Sequence, residues 1–324
     1  MKRIDIIVPA HNEEQVLERF YAALKPVIDA LPYQFRIIFV DDGSVDRTAE
    51  VCRALGRCDA RVGLLRLSRN FGHQAALTAG LDAADGDAVI TMDADLQHPP
   101  SALPALVAAW EGGAEIVSGM RNQSAEVGFW KQLSSRVFYG LLNLISEVPI
   151  TPDAPDFRLL DACAFRAVRG MRERARFLRG MCSWIGFRQC TVTYTQAPRA
   201  AGTSKYTAIR MWRLALAAVL GFSRVPLRIA TWVGCVVAVL SVLYGLYAIA
   251  QVVVFRQAIQ GWASLAVLVS FLSAAQLVTL GVFGEYLGQV LEEVRQRPLY
   301  IVAESSLGND GSRVRVPELV SEVR

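Results

Sequence analysis

The 324-residue sequence lacks the spacings with which cysteine and histidine build a metal-bound or redox-active motif. It has six cysteines and three histidines, yet no Cys-x-x-Cys pair and no zinc-ligand spacing. The cysteines are therefore expected to be reduced thiols, most of them packed. The net charge is only +4 and the basic residues are dispersed, which argues against a nucleic-acid partner. The chain also shows no internal repeat and no low-complexity segment.

Charged residues are missing from two long stretches near the C-terminus, 229–255 and 257–284. Each is longer than an α-helix needs to cross a hydrocarbon core of about 30 Å at ~1.5 Å per residue. We therefore predict two transmembrane helices. The alternative, two buried helices of a soluble core, is disfavoured because such helices rarely stay free of charge over ~18 residues or more.

The sequence around these stretches predicts their orientation. Arginines precede the first stretch and follow the second, with one between them: Arg210, Arg213, Arg224, Arg228, Arg295, Arg297 and Arg256. By the positive-inside rule, both flanks are cytoplasmic. The N-terminus reaches Asp5 and Glu13 without an apolar run long enough for a signal peptide. We expect a multi-pass protein of the inner (plasma) membrane, with both termini and the N-terminal region in the cytoplasm.

The first 120 residues alternate short apolar runs with helical stretches. The predicted strands are Ile4–Val8, Ile37–Val40, Val62–Leu67, Ala88–Met92 and Ile116–Val117. The predicted helices are Glu13–Leu31, Thr48–Leu55, Gln74–Ala84 and Ala102–Trp110. This alternation is typical of an α/β domain with a mostly parallel sheet and helices on both faces. In such sheets the ligand binds beyond the carboxyl ends of the strands.

The rest of the chain is less regular, and it sets the predicted domain boundaries. We predict a helix at Trp130–Leu144, an extended segment at Asp153–Leu160, strands at Gln189–Gln196 and Leu299–Val302, and an amphipathic helix at Thr207–Phe222. The last helix suits a membrane interface, although an ordinary surface helix is the alternative. The predicted division is a catalytic domain over 1–205, a juxtamembrane helix over 206–228, two transmembrane helices over 229–290 and a cytosolic tail over 291–324.

Carboxylates stand at the ends of two predicted strands. Asp93 and Asp95, at i and i+2, can aim at one divalent cation, which in turn holds a diphosphate. Such a metal neutralises a leaving nucleoside diphosphate. The plain alternative is two solvated turn carboxylates. After the second strand, Asp42 can accept hydrogen bonds from a nucleobase or ribose, Gly43 permits a tight turn, and Asp46 is expected to cap the next helix.

Four motifs together resemble the polyprenyl-phosphate branch of family 2 glycosyltransferases. They are Pro9-Ala10-His11-Asn12-Glu13-Glu14, Asp41-Asp42-Gly43-Ser44, Arg69-Asn70-Phe71-Gly72-His73-Gln74 and Asp93-Ala94-Asp95-Leu96-Gln97. The resemblance continues through Asp156-Phe157-Arg158-Leu159-Leu160, Gly202-Thr203-Ser204-Lys205-Tyr206 and the two spans. The bactoprenol glucosyltransferase type is the most similar. This resemblance implies a GT-A fold, inversion at the anomeric carbon and a polyprenyl (undecaprenyl) phosphate acceptor.

The resemblance also implies roles for individual residues. It implies that Pro9, Asn12 and Glu13 line the nucleotide pocket and that Asp42 holds the base or ribose. Asp93 would contact the nucleotide and the metal, and Asp95 with Gln97 would bind Mg²⁺ or Mn²⁺. Asp156 and Asp95 would be the catalytic residues, and Arg121 a phosphate-region arginine. The residues expected to bind the acceptor or its phosphate are Arg158, Arg199, Ser204 and Lys205, with Lys131 and Arg136 as further acceptor candidates.

The donor sugar is not determined by these motifs. UDP-glucose is the first choice by resemblance, while other UDP-hexoses, a UDP-linked modified pentose and GDP-mannose stay open. A phosphate monoester has a second pKa of about 6 and is largely ionised at cytosolic pH. Asp156 is therefore expected to orient a substrate more than to act as a strong base. The resemblance further implies a homo-oligomer, a tetramer, on a lipid bilayer.

Three other interpretations compete with this one. A processive polysaccharide synthase would need more spans and a Gln-x-x-Arg-Trp motif, which Arg210-Met211-Trp212-Arg213 does not match. A catalytically silent membrane scaffold would have no need of the carboxylate pair, Asp156 and Lys205. A flippase is disfavoured because two spans offer no polar pathway through the membrane.

Overall fold

A computed structural model describes residues 1–121, 156–174, 176–195, 225–253 and 261–307. Contacts within the chain divide it into two units. The sheet unit takes in the described residues before 196 together with 298–307, and the helix unit takes in 225–253 and 261–297. The predicted boundaries at 205, 228 and 290 remain expectations.

The sheet unit alternates strands and helices along its first 121 residues. These are β1 (Arg3–Ala10), α1 (Leu17–Asp29), β2 (Gln34–Asp41), α2 (Thr48–Cys58), β3 (Val62–Leu67), α3 (His73–Ala83), β4 (Ala88–Thr91), α4 (Leu103–Glu111) and β5 (Ile116–Arg121). After the next described residue, Asp156, come β6 (Arg158–Asp161), α5 (Ala162–Gly170), α6 (Leu178–Trp184) and β7 (Gln189–Tyr194). The predicted alternation of strands and helices is confirmed, with ends shifted by a few residues.

The described strands form one eight-stranded sheet in the order β7-β5-β6-β4-β1-β2-β3-β8, where β8 is Val302–Ser305. The neighbours β1–β2, β1–β4, β2–β3 and β5–β7 are parallel. Strand β6 is antiparallel to both β4 and β5, and β8 is antiparallel to β3. The predicted mostly parallel α/β sheet is therefore confirmed, with two reversed strands.

Burial on both faces explains why the strands are continuous apolar runs. In β2, Ile37 and Phe39 point into one core, while Ile38 and Val40 point into the other. Helices α1, α2 and α4 cover the first face, and α3, α5 and α6 cover the second. Because strand side chains alternate between faces, a sheet covered on both sides needs apolar residues at every position. The polar residues of the candidate site follow the carboxyl ends of these strands.

The described residues after Arg297, 298–307, belong to the sheet unit. Its strand, β8, pairs with β3 through Leu65 opposite Ser305 and Arg66 opposite Glu304. The sequence predicted the strand three residues earlier, at Leu299–Val302. Residues 308–324, predicted to be loose at their end, lie outside the described residues.

Two long helices follow in the helix unit, α7 (Val225–Val253) and α8 (Trp262–Arg295). Each contains a stretch long and apolar enough to cross a membrane, Ala230–Tyr247 and Phe271–Arg295, by length and composition alone. Within these stretches, large apolar side chains such as Trp232, Leu243 and Leu280 are exposed. Exposed apolar surface of this kind marks an interaction site, and these two helices suggest association with a membrane.

Candidate active site

Two loops at the carboxyl ends of β1 and β2 are joined by hydrogen bonds. The amide of Asn12 donates to Ser44 Oγ at 2.9 Å, and Asn12 Oδ1 accepts from the amide of Val45 at 3.0 Å. The amide of Glu13 donates to Thr48 Oγ1 at 2.9 Å. Asn12 has a φ of 57°, in the left-handed region that asparagine tolerates better than most residues. These contacts give the predicted nucleotide-pocket residues Asn12 and Glu13 a fixed backbone.

Asp42 is buried between these loops and the start of α3. Its two carboxylate oxygens accept hydrogen bonds from the amides of Phe71 and Gly72, at 2.7 and 2.9 Å. Asp42 therefore fastens the loop before α3, a contact that the sequence did not predict. Its predicted contact with a base or ribose stays a prediction. Asp46 Oδ1 accepts from the amide of Thr48 at 3.0 Å, but the N-cap residue of α2 is Arg47, one residue after the predicted cap.

Asp93 and Asp95 follow β4 and are both partly exposed. Ala94, between them, is buried. Asp95 Oδ1 accepts a hydrogen bond from the amide of Gln97 at 3.0 Å. Leu96 takes a left-handed conformation with φ 61°, which costs strain in a non-glycine residue. Such strain is typical of sites whose surroundings over-determine the backbone.

A chain of buried polar groups supports Asp93 from behind. His98 Nε2 lies 3.3 Å from Asp93 Oδ2, and His98 Nδ1 lies 2.7 Å from the Tyr194 hydroxyl oxygen. Because a carboxylate only accepts, Nε2 donates to Asp93, and in the tautomer protonated at Nε2 alone Nδ1 accepts from the Tyr194 hydroxyl. Burial raises the pKa of Tyr194, against the opposing effect of its hydrogen bond with Arg121. Arg121, a predicted phosphate-region residue, is thus joined to Asp93 through two side chains.

Asp156 lies just before β6 and is only 8% exposed. Its Oδ1 accepts from Arg179 Nε at 3.1 Å, and its Oδ2 accepts from Gln74 Nε2 at 3.0 Å. Its main-chain carbonyl accepts from Thr91 Oγ1, at the end of β4, at 2.6 Å. Burial opposes ionisation, but the hydrogen bond with His73 and the charge of Arg179 hold the pKa of Asp156 well below its usual range.

His73, the first residue of α3, connects the two acidic positions. Its Nε2 lies 3.7 Å from Asp93 Oδ1 and 3.5 Å from Asp156 Oδ2. Burial lowers the pKa of His73, yet the hydrogen bond with Asp156 and the charge of Asp93 outweigh it and raise the pKa above its ordinary value. His73 therefore links the carboxylate pair after β4 to the carboxylate before β6.

Arg158, a predicted phosphate-binding residue, is buried at the start of β6. It is 6% exposed and packs against Cys182 of α6, and its Nε has no hydrogen-bond partner among the described residues. Burial raises the pKa of the Cys182 thiol, against the opposing charge of Arg158. Its predicted contact with the acceptor phosphate stays a prediction.

The structure therefore brings together several predicted residues, namely Pro9 at the end of β1, Asn12, Glu13, Asp42, Asp93, Asp95, Gln97, Arg121 and Asp156. Arg199, Ser204, Lys205, Lys131 and Arg136 lie outside the described residues. No role was predicted for His73, Gln74, His98, Arg179 or Tyr194. The first two stand in a motif quoted above, which was the only available signal. Arg179 and Tyr194 reach the site through contacts distant in sequence.

The donor atoms at Asp93 and Asp95 fit a hard divalent cation. Mg²⁺ keeps several waters and is commonly held by one or two carboxylates together with substrate phosphates. The described residues contain no group of three or more His, Cys, Asp or Glu side chains arranged to hold a metal on their own. Two carboxylates with a diphosphate are consistent with both facts. Asp93 and Asp95 would hold the ion, with Gln97 as a further oxygen donor.

The chain is similar to known proteins along most of its length. Residues 5–169 match the family model described as Glycosyl transferase family 2. The chain is 39% identical over 307 residues to the SfII prophage-derived bactoprenol glucosyl transferase of Shigella flexneri, across 95% of this chain and 99% of that protein. It is 38% identical over 301 residues to an uncharacterized glycosyltransferase of Synechocystis sp., across 93% and 95%. The chain therefore belongs to glycosyltransferase family 2, which confirms the predicted enzyme class and GT-A fold.

A solved structure gives a weaker likeness. The glucosyl-3-phosphoglycerate synthase from Mycobacterium tuberculosis, in complex with Mn²⁺, uridine diphosphate and phosphoglyceric acid, is 18% identical with a TM-score of 0.48. The match covers 68% of this chain and 76% of that one. The assignment of the fold therefore depends on the sheet described above and on the family match, and not on this likeness.

Proposed function

We propose that this glycosyltransferase moves a hexose from a nucleotide sugar onto a polyprenyl (undecaprenyl) phosphate at the cytoplasmic face of a membrane. The observation that carries the proposal is the convergence of Asp93, Asp95 and Asp156 at one edge of the sheet, where His73 lies within 3.7 Å of two of them. The names of the bactoprenol glucosyl transferase relatives support the acceptor class.

The chemistry is a single displacement at the anomeric carbon. A phosphate oxygen of the acceptor forms the new bond to C1, while the bond from C1 to the nucleoside diphosphate breaks and the diphosphate leaves with the electron pair. A divalent cation would supply charge neutralisation on the departing diphosphate. The acceptor needs little proton removal, because a phosphate monoester with a second pKa of about 6 is largely ionised at neutral pH.

The residues divide between donor and acceptor. We assign Pro9, Asn12, Glu13 and Asp42 to the nucleotide, and Asp93, Asp95 and Gln97 to Mg²⁺ or Mn²⁺. We assign Arg121, which hydrogen-bonds to the side chain of Tyr194, to the diphosphate. Asp156 is held as an anion and acts on the reaction centre as an orienting group. Arg158, Arg199, Ser204 and Lys205 are proposed to gather the acceptor phosphate through charge-assisted hydrogen bonds.

The acceptor determines where the reaction takes place. Burying the charge of its phosphate in hydrocarbon would be costly, so the phosphate stays at headgroup level and the cleft must meet it there. Two apolar helices, α7 and α8, support a membrane-anchored enzyme. We propose a two-span protein of the inner (plasma) membrane with a cytoplasmic catalytic domain. A homo-oligomer, such as the tetramer implied by resemblance, stays a prediction.

The direct test incubates membranes containing the protein with undecaprenyl phosphate and a panel of labelled nucleotide sugars. We expect a lipid-soluble product with UDP-glucose. Product with GDP-mannose or with a UDP-linked modified pentose would keep the reaction class and correct the donor. Membranes containing the Asp95→Asn variant are the matched control. Absence of any lipid-linked sugar with the whole panel would contradict the proposal and favour a catalytically silent scaffold.

A further inference from the structure

One face of α3 carries a regular series of polar side chains. Gln74, Thr78 and Asp82 stand four residues apart, so they lie above one another on successive turns. All three bind the segment that leads into α6. Arg172 donates to Asp82 at 2.8 Å, Arg176 Nε donates to Thr78 Oγ1 at 3.1 Å, and the amide of Leu178 donates to Gln74 Oε1 at 3.1 Å. We call these three α3 residues the polar seam.

The polar seam ends at Asp156. Gln74 uses both ends of its amide, because Oε1 accepts from Leu178 and Nε2 donates to Asp156 Oδ2 at 3.0 Å. The next residue after Leu178 is Arg179, whose Nε donates to Asp156 Oδ1 at 3.1 Å. One glutamine therefore fixes the carboxylate and, through the backbone, the arginine that pairs with it.

The charges at this edge of the sheet explain why Asp156 needs a cationic partner. Asp93, Asp95 and Asp156 are three carboxylates in a site that must admit a diphosphate and a phosphate monoester. A divalent cation would balance Asp93 and Asp95 and leave Asp156 as the remaining negative charge. Arg179 supplies the balancing charge for Asp156, and His73 adds a second contact at 3.5 Å. Without Arg179, the acceptor phosphate would approach a carboxylate that has lost its arginine partner, and like charges at short range repel.

We infer that Arg179 and Gln74 are positioning residues of this transferase, which fix the carboxylate of Asp156 and balance its charge so that an anionic acceptor can bind beside it. This inference rests on the proposed function. It adds a positioning role for a residue of the segment 172–179, which none of the family motifs includes. Arg179 acts through Asp156, and Gln74 acts through both.

The test compares Arg179→Gln, Arg179→Lys and Gln74→Met, with Arg166→Gln as the matched control. Arg166 is an exposed arginine on α5 that belongs to neither the polar seam nor the site. We expect Arg179→Gln to lower kcat at least ~10-fold and to raise the KM for polyprenyl phosphate, because an aligned electrostatic partner is lost. Affinity for the nucleoside diphosphate with Mn²⁺, measured by calorimetry, should stay within about twofold. Arg179→Lys should recover part of the rate.

A double-mutant cycle separates positioning from independent action. If Arg179 acts through Asp156, then Asp156→Asn with Arg179→Gln is no slower than Asp156→Asn alone. A double variant slowed by the full product of the two single effects would overturn the inference. So would wild-type kcat and acceptor KM in Arg179→Gln, or a loss of nucleotide affinity as large as the loss of rate.

A second readout does not depend on activity. The wild-type protein, Asp156→Asn, Arg179→Gln and the double variant are unfolded by heat in detergent. Their shifts in Tm should be non-additive, because the side chains of Asp156 and Arg179 are in contact. Additive shifts would contradict the pairing itself. If the wild-type enzyme transfers sugar to no polyprenyl phosphate, the proposed function is wrong, and the pairing is then decided by the Tm cycle alone.

Discussion

Arg53 and Glu304 form a two-bond ion pair across 251 residues of sequence. Arg53 Nε donates to Glu304 Oε1 at 2.9 Å, and Nη2 donates to Oε2 at 2.7 Å. The pair joins α2 to β8, and the side chain of Tyr300 adds a hydrogen bond to Asp82 of α3 at 2.7 Å. The segment that follows the two apolar helices is therefore fastened to two helices on opposite faces of the sheet.

Glu304→Gln should lower the free energy of unfolding by about 1 kcal/mol, since a bidentate arginine–carboxylate pair at a partly exposed position is lost. Thermal unfolding of the purified chain in detergent measures the change. Glu50→Gln is the control, because the pair of Glu50 with Arg47, the residue before α2, is well exposed and should contribute nothing measurable. Equal Tm values for the two variants would show that the pair with Arg53 does not fasten β8.

Gly43→Ala should damage both stability and nucleotide binding. Gly43 has a φ of 62°, and an added Cβ would lie 2.6 Å from Arg69 Cα and from the amide nitrogen of Asn70. The left-handed conformation alone costs roughly 1–2 kcal/mol for a residue with a Cβ. Gly170→Ala is the control, since a Cβ there meets nothing within 4 Å. An unchanged Tm in Gly43→Ala would mean that the turn can shift without cost.

Asp95→Asn should reduce turnover at least ~10²-fold with the fold intact, as expected when a group that stabilises developing charge is lost. Chelation with EDTA should abolish activity in the wild-type enzyme, and added Mg²⁺ or Mn²⁺ should restore it. Glu18→Gln, on an exposed position of α1, controls for loss of a carboxylate elsewhere. Full activity in EDTA would contradict the assignment of Asp95 to a metal ion.

Tyr194→Phe tests the support behind Asp93. Loss of the hydroxyl leaves His98 Nδ1 without its 2.7 Å partner and frees the ring that holds Asp93. The metal concentration at half-maximal activity should rise ~10-fold, as is common when an outer-shell partner of a ligand is removed. Tyr33→Phe, whose hydroxyl donates to Glu111 at the other end of the strands, should leave it unchanged. Similar metal dependence in Tyr194→Phe and Tyr33→Phe would show that the contacts of Tyr194 with His98 do not support Asp93.

The membrane topology can be checked by labelling in a background without native cysteines. A cysteine at Ala258 should react with an impermeant reagent in intact cells, because the arginine pattern places the turn between the spans outside. A cysteine at Ser312 should react only after permeabilisation. The reverse pattern would invert the orientation.

Most strands of the sheet could be predicted because they contain continuous apolar runs, such as Ile37 to Val40, which are typical of a sheet covered on both faces. The edge strand β8 was placed three residues too early. Its apolar letters run from Leu299 to Val302, yet Ile301 is 51% exposed and the ladder is made by the more polar Val302–Ser305. An edge strand buries little, so apolarity is a poor guide to its limits.

Some residues of the candidate site could also be predicted from the sequence, and others could not. Asp93, Asp95 and Asp156 were predicted because strand ends and motifs mark them. Arg179 and Tyr194 were not, because their partners Asp156 and His98 are 23 and 96 residues away in sequence. No local pattern records such contacts. The contact of Arg158 with Cys182 of α6 was likewise not predicted, because the two residues are also distant in sequence.

The place of β8 has a consequence for biosynthesis. Chains are made from the N-terminus at roughly 5–20 residues per second, and domains tend to fold as they emerge. Strand β3 is complete by residue 67, but its outer edge gains its partner only after residue 305 has been made. Throughout that interval β3 presents unpaired backbone groups, which are a template for aggregation. A shortened version that stops before α7 would keep this open edge permanently, so a soluble fragment needs residues 298–307 joined back to it.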